Sequence, residues 1–178
     1  MHRVLVRCCL GFLISCVVIT GLSWAQSTGL SSGEFNELVQ REKSAHLGEI
    51  LPEGIELDMD GAGVVDIRQH LHGPLIVFKV NLDDINRKLL DAIRATGGHS
   101  LDDTKARIAV IVVRNKTHTP VDFPESIPVF RTESDMETGF FGGHFLPTSF
   151  YFDQDLKLIK RSPGMPPDPN EMLHFPVQ

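Results

Sequence analysis

The sequence predicts an α/β fold with a central mixed sheet, flanking helices and an N-terminal β-hairpin. Three observations carry that expectation. First, residues 75–80 (Leu-Ile-Val-Phe-Lys-Val) and 107–113 (Arg-Ile-Ala-Val-Ile-Val-Val) are continuous apolar runs, the former broken only by Lys79. Continuous rather than alternating hydrophobicity marks strands covered on both faces. Second, Ile85, Leu89, Leu90, Ala92 and Ile93 between them lie on one helical face, and Gly97-Gly98 ends that helix. Strand, helix and strand make a βαβ unit. Third, β-rich pairs flank a turn at each end of this unit, which predicts two hairpins.

The elements follow in order. Arg3 and Arg7, the apolar run Cys8 to Leu22 and the closing Ser23-Trp24-Ala25 have the pattern of a secretory signal cut before Gln26. The apolar run falls short of the roughly 20 residues that span a bilayer. Leu13-Ile14-Ser15-Cys16 also fits a lipobox, so a lipid anchor at Cys16 is the competing route. Residues 26–33 are small and polar. Ser31 and Glu34 then form a capping-box pattern, followed by Phe35, Leu38 and Val39 at helical spacing, which predicts a helix to about Ala45. Ile55-Glu56-Leu57 and Val64 to Ile67 flank Asp58 to Gly63, the first hairpin. The acidic turn lacks the ligand pattern of a calcium loop. A helix is expected from Asp83 to Ala95. Residues 117–126 read as loop, Ile127 to Phe130 as a short extended piece, and Ser134 to Phe141 as one or two helical turns. Thr148 to Phe152 and Leu156 to Arg161 flank Asp153-Gln154-Asp155, the second hairpin. Pro163, Pro166, Pro167 and Pro169 mark an irregular tail.

Charge and cysteine content narrow the function. The 178 residues carry 17 Lys and Arg against 23 Asp and Glu, a formal charge of −6. Cleavage after Ala25 removes two arginines and leaves 153 residues at −8. With no basic patch, nucleic acid is not an expected partner. All three cysteines, Cys8, Cys9 and Cys16, lie in the leader. The processed chain therefore has no thiol, and its stability must come from a hydrophobic core.

Two stretches resemble the thioredoxin-like superfamily, in its TlpA-like and redoxin branch. Phe141-Gly142-Gly143-His144-Phe145-Leu146-Pro147-Thr148, with the strand and Asp153 that follow, is similar to the segment around the family's cis-proline. Phe78 to Asn86 lies where that family carries Phe-Trp-Ala-x-Trp-Cys-x-x-Cys. Asp83 falls on the first cysteine and Asn86 on the second, and both tryptophans are missing. The resemblance covers about Ile55 to Gly164. It implies a thioredoxin-like domain at 51–164, after a signal peptide at 1–25 and a linker with a short helix at 26–50, and before a Pro-rich tail at 165–178. It also implies a cis bond between Leu146 and Pro147. Thiol exchange needs a thiolate that attacks sulfur, and neither Asp nor Asn supplies one.

The expected site is a binding face made of Asp83, Asp84, Asn86, His144, Phe145, Leu146, Pro147 and Thr148, with no catalytic residue, metal or cofactor assigned. Asp83 and Asp84 also suit a helix N-terminus as caps, and the helix dipole there favours the ionised carboxylate over a general acid. The expected partner is a protein or an extended peptide bound by strand addition. The expected location is outside the cytoplasm, periplasmic in a bacterium. Two alternatives stand beside this reading. One is an enzyme of altered chemistry, with a metal held by Asp83 and His144 or by His70 and His72, which at this spacing would face one side of a strand. The other is a structural subunit of a cell-envelope assembly. Asn115-Lys116-Thr117 is a glycosylation sequon only in a eukaryotic host.

Overall fold

The computed structural model describes residues 31–81, 87–113, 122–132 and 139–176. The leader, the Asp83 to Asn86 segment, the sequon and the expected turns at 134–138 lie outside the described residues. The chain divides between Arg41 and Glu42 into two compact units. Among the described residues no helix is long and apolar enough to cross a membrane.

The first unit holds most of helix α1, Ser32–Ser44. Its start is the capping box the sequence anticipates. The Ser31 N–H donates to Glu34 Oε2 at 2.8 Å, and the Glu34 N–H donates to Ser31 Oγ at 3.3 Å. The Ser31 hydroxyl, which donates to Glu34 Oε2 at 2.7 Å, and then the Ser31 N–H hold the Glu34 carboxyl below its ordinary value.

The second unit is a seven-stranded mixed sheet. Its strands are β1 (Glu56–Met59), β2 (Gly63–Asp66), β3 (Leu75–Val80), β4 (Arg107–Val113), β5 (Val129–Thr132), β6 (Thr148–Phe152) and β7 (Leu158–Pro163). They lie in the order β2-β1-β5-β4-β3-β6-β7. β3, helix α2 (Arg87–Ala95) and β4 form the βαβ unit, with β3 and β4 parallel and adjacent. β5 extends the parallel set beside β4. β6 pairs antiparallel with β3, and β7 with β6. The β1–β2 hairpin joins antiparallel to β5. A parallel βαβ pair, an antiparallel pair attached through β6 to β3, and a cis-proline at the entrance to β6 make this fold thioredoxin-like.

The two faces of the sheet explain the continuous apolar runs. Ile76, Phe78 and Val80 of β3 share one face with Ile108, Val110 and Val112 of β4. That face is covered by Leu89, Leu90 and Ile93 of α2 and by Met172, Leu173 and Phe175. Leu75 and Val77 share the other face with Ala109 and Ile111, and Leu51, Ile67, Phe140 and Phe141 cover it. All six residues of β3 are buried, Lys79 included.

Several boundaries differ from the sequence reading. In the first hairpin Asp58, Met59 and Gly63, expected in the turn, are paired strand residues. The last strand begins at Leu158 rather than Leu156, because Asp153 Oδ1 accepts the N–H groups of Asp155 and Lys157, each at 2.9 Å, and so prolongs the turn. Pro163, assigned to the irregular tail, is the last residue of this edge strand, where no ladder donor is needed. The extended piece expected from Ile127 runs instead from Val129 to Thr132, in register with Val110 to Val113. The C-terminal segment also has structure. A 3₁₀ turn at Pro169–Leu173 is capped by Asp168, whose carboxylate accepts the Asn170 N–H at 2.9 Å. Tyr151 Oη, buried beneath it, donates to the Met172 carbonyl at 3.0 Å.

Candidate functional site at the cis-proline loop

The loop from Gly139 to Pro147, with Thr148 at the start of β6, carries the described part of the expected face. Its entry is fixed by aromatic packing. Phe140 and Phe141 meet edge to face at 5.4 Å, and Phe141 meets Phe150 of β6 at 5.0 Å. His46 stacks on Phe140 at 5.0 Å. Its exit is the peptide bond between Leu146 and Pro147, which is cis, as the family resemblance implies. The bond between Gly73 and Pro74, for which the sequence carried no expectation, is cis as well. Beyond the loop, the Gly164 N–H donates to the Pro147 carbonyl at 2.8 Å. The buried Thr148 hydroxyl donates to the Phe145 carbonyl at 2.6 Å.

The centre of the loop rests on three buried ionisable side chains from separate elements. Glu42 in the last turn of α1 is 5 % exposed, Lys79 of β3 is 0 % and Arg161 of β7 is 4 %. Glu42 Oε1 accepts the His144 N–H at 2.5 Å. Arg161 donates through Nη2 to the Gly142 carbonyl and lies 3.4 Å from Glu42 Oε2. Lys79 Nζ donates to the Gly143 carbonyl at 3.1 Å. Three successive loop residues thus have backbone groups bound to charged side chains beneath them. The Arg161 guanidinium also lies over the Phe150 ring at 5.0 Å. Its Nε is buried without a hydrogen-bond partner among the described residues. Burial pushes the guanidinium below its ordinary value, against the opposing charge of Glu42.

Gly143 is required by this arrangement. Its φ is +142°, and a Cβ would come within 2.6 Å of Glu42 Oε2 and closer still to Arg161 Nη2. The Gly142-Gly143 pair therefore makes the bend anticipated from sequence and also admits the charged side chains below it.

The structure divides the expected face. His144 is exposed and Leu146 is half-buried, whereas the Phe145, Pro147 and Thr148 residues are buried. Asp83, Asp84 and Asn86 lie outside the described residues. Among the described residues, the Leu146 backbone takes no hydrogen bond. The surface beside the cis-proline thus presents His144 and part of Leu146, whose main-chain donor and acceptor have no partner among the described residues. Sequence reasoning missed Glu42, Lys79 and Arg161. Only Lys79 left a trace, as the one break in an apolar strand.

The histidine pair considered for a metal is not on a strand. His70 follows the 3₁₀ turn Ile67–Gln69, and its N–H donates to the Ile67 carbonyl at 3.0 Å. Among the described residues no group of three or more His, Cys, Asp or Glu side chains is placed to hold a metal ion.

No protein-family model and no curated protein matches the chain. Solved structures with a similar fold include the pneumococcal exposed lipoprotein thioredoxin Etrx1 from Streptococcus pneumoniae TIGR4. It is 15 % identical with a TM-score of 0.48, over 68 % of this chain and 96 % of that one. A protein from Chlorobium tepidum, assigned as the thiol:disulfide interchange protein DsbE, is 18 % identical with a TM-score of 0.49, over 73 % and 94 %. A DsbF homologue from Corynebacterium diphtheriae is 12 % identical with a TM-score of 0.46, over 64 % and 76 %.

Proposed function

We propose that this chain is an exported thioredoxin-like protein that binds a protein or an extended peptide beside its cis-proline and carries out no thiol chemistry. The observation that supports it most is the open Leu146 backbone on a loop fixed from below by Glu42, Lys79 and Arg161. An extended segment pairs with such a main-chain donor and acceptor by strand addition. A loop already fixed in place reduces the ordering cost of binding. His144 and Leu146 supply the side-chain contacts. Residues 17–178 contain no cysteine, which supports a role without thiol exchange. The basic start, apolar run and Ala25 support export and cleavage before Gln26.

A photo-crosslinking residue at position 144, introduced in the native host, tests the binding role. The expected result is a discrete crosslinked product that is absent when the same residue replaces exposed Val64 on the opposite sheet edge. Equal products at both positions, or none at 144, would refute it. Insulin reduction by the purified protein should match the rate without protein, and N-terminal sequencing should begin at Gln26.

A further inference from the structure

Three histidines and an arginine converge on a cavity at the end of β3 and β4 opposite to the end of β3 that carries Lys79. Its volume is about 250 Å³, and His70, His72, His99 and Arg107 line it together with the apolar Leu71 and Leu75. They come from three separate places. His70 and His72 follow the first 3₁₀ turn, His99 follows α2, and Arg107 opens β4. No Asp or Glu among the described residues lines the cavity, although the chain as a whole is acidic.

The walls are held in place by the backbone. His99 and Arg107 face each other in an isolated antiparallel bridge, which puts both side chains on one side. The Ile108 N–H donates to the Gly98 carbonyl at 2.9 Å, and the Arg107 N–H donates to the Pro74 carbonyl at 2.9 Å. Gly73 is so tightly seated that a Cβ there would overlap the Asp153 carbonyl. Gly98 has φ +98°, and a Cβ would lie 3.0 Å from Ser126 Oγ. These contacts make the cavity pre-formed, as small-molecule sites commonly are.

We infer that this cavity binds a small organic anion, with a carboxylate or phosphate group against Arg107 and the histidines and an apolar body on Leu71 and Leu75. Arg107 supplies a permanent positive charge and a planar set of donors suited to either oxyanion. Each imidazole supplies at least one N–H donor in either protonation state. The volume is slightly below the usual range of ligand pockets, roughly 300–1,000 Å³, and suits a single-ring or short-chain ligand. This inference is independent of the peptide-binding reading, since the two sites share no residue.

The test is titration of the isotope-labelled protein, in the form the cell accumulates, with benzoate, phenyl phosphate and neutral benzyl alcohol. The expected result is a saturable shift of the Gly98, His99 and Arg107 amides with one or both anions, at a Kd of about 1 mM or tighter. Saturation by benzoate alone assigns a carboxylate ligand, and by phenyl phosphate alone a phosphate ligand. Benzyl alcohol should bind at least about tenfold more weakly, and Arg107→Gln should weaken the anion by a similar factor. Arg107 is an exposed strand-end side chain, and unchanged dispersion of the other β4 amides checks that the variant is folded. His70→Gln with His72→Gln is the second variant and should also weaken the anion. No saturable shift at these amides, equal binding of benzyl alcohol, or unchanged binding in both variants overturns the inference. So does saturation of the same amides by Zn²⁺ with neither anion binding.

Discussion

Glu42→Ala should be among the most destabilising changes at any ionisable residue of this protein. The substitution leaves Arg161, 4 % exposed, without its opposing charge. It also removes the acceptor of the His144 N–H. Removing one partner of a buried ion pair costs about 3–5 kcal/mol. The 3.4 Å separation and the remaining contacts of Arg161 with the Gly142 carbonyl and Phe150 place this case near the lower end, about 3 kcal/mol. Arg161→Met should cost a similar amount, because it leaves Glu42 buried without its cation. The double variant Glu42→Leu/Arg161→Met removes both charges, so its loss should be smaller than the sum of Glu42→Leu and Arg161→Met by about 2 kcal/mol or more. Urea unfolding of the four proteins measures this, with the slope checked for constancy. Additivity within about 0.5 kcal/mol would refute the coupling, and the anchoring scheme with it.

The remaining predictions concern the loop and the C-terminal segment. Gly143→Ala should cost about 2–4 kcal/mol, from the Cβ overlap with Arg161 and Glu42 together with the positive φ. A urea midpoint equal to that of the parent protein would show that the charged side chains move aside freely. At Asp102, burial pushes the carboxyl up. The Phe175 N–H, the Ser100 hydroxyl and the Thr104 N–H together outweigh it and hold the carboxyl below its usual value. The stability it contributes is therefore full above the unfolded carboxylate value of about 3.9 and lost as pH falls through the lower folded value. Asp102→Asn should flatten the acid limb of stability below about pH 4 and speed amide exchange at Phe175, which otherwise donates to Asp102. An unchanged acid limb with unchanged Phe175 exchange would contradict that assignment.

The βαβ unit and both hairpins were legible because their signal is periodic and local. Leu75 to Val80 and Ile108 to Val113 are buried on both faces, and a two-sided burial pattern is written directly into a strand. The cis-proline was legible only by resemblance, since nothing in the residues around Pro147 fixes the isomer. The buried anchors were not legible, for a physical reason. Glu42, Lys79 and Arg161 are 37 and 82 residues apart along the chain; Glu42 and Arg161 look like ordinary surface charges, and Lys79 like a lone break in an apolar strand, until the fold brings them under one loop. The cationic cavity was hidden in the same way. The spacing of His70 and His72 suggests a strand pair and gives no sign of His99 and Arg107, which the bridge beside β4 brings to the same cavity. The C-terminal prolines predicted an irregular tail, yet Met172, Leu173 and Phe175 cover the α2 face of the sheet, because proline content reports backbone restriction and not burial.

The central claim is that a partner segment pairs with the main chain beside the cis-proline. Amide hydrogen exchange at Leu146, in the free protein and in the complex captured through position 144, tests it most directly. The Leu146 amide takes no internal hydrogen bond among the described residues, so it should exchange quickly in the free protein and slow by at least about tenfold in the complex. A complex in which Leu146 exchanges as fast as in the free protein, with protection confined to other surfaces, would contradict the account.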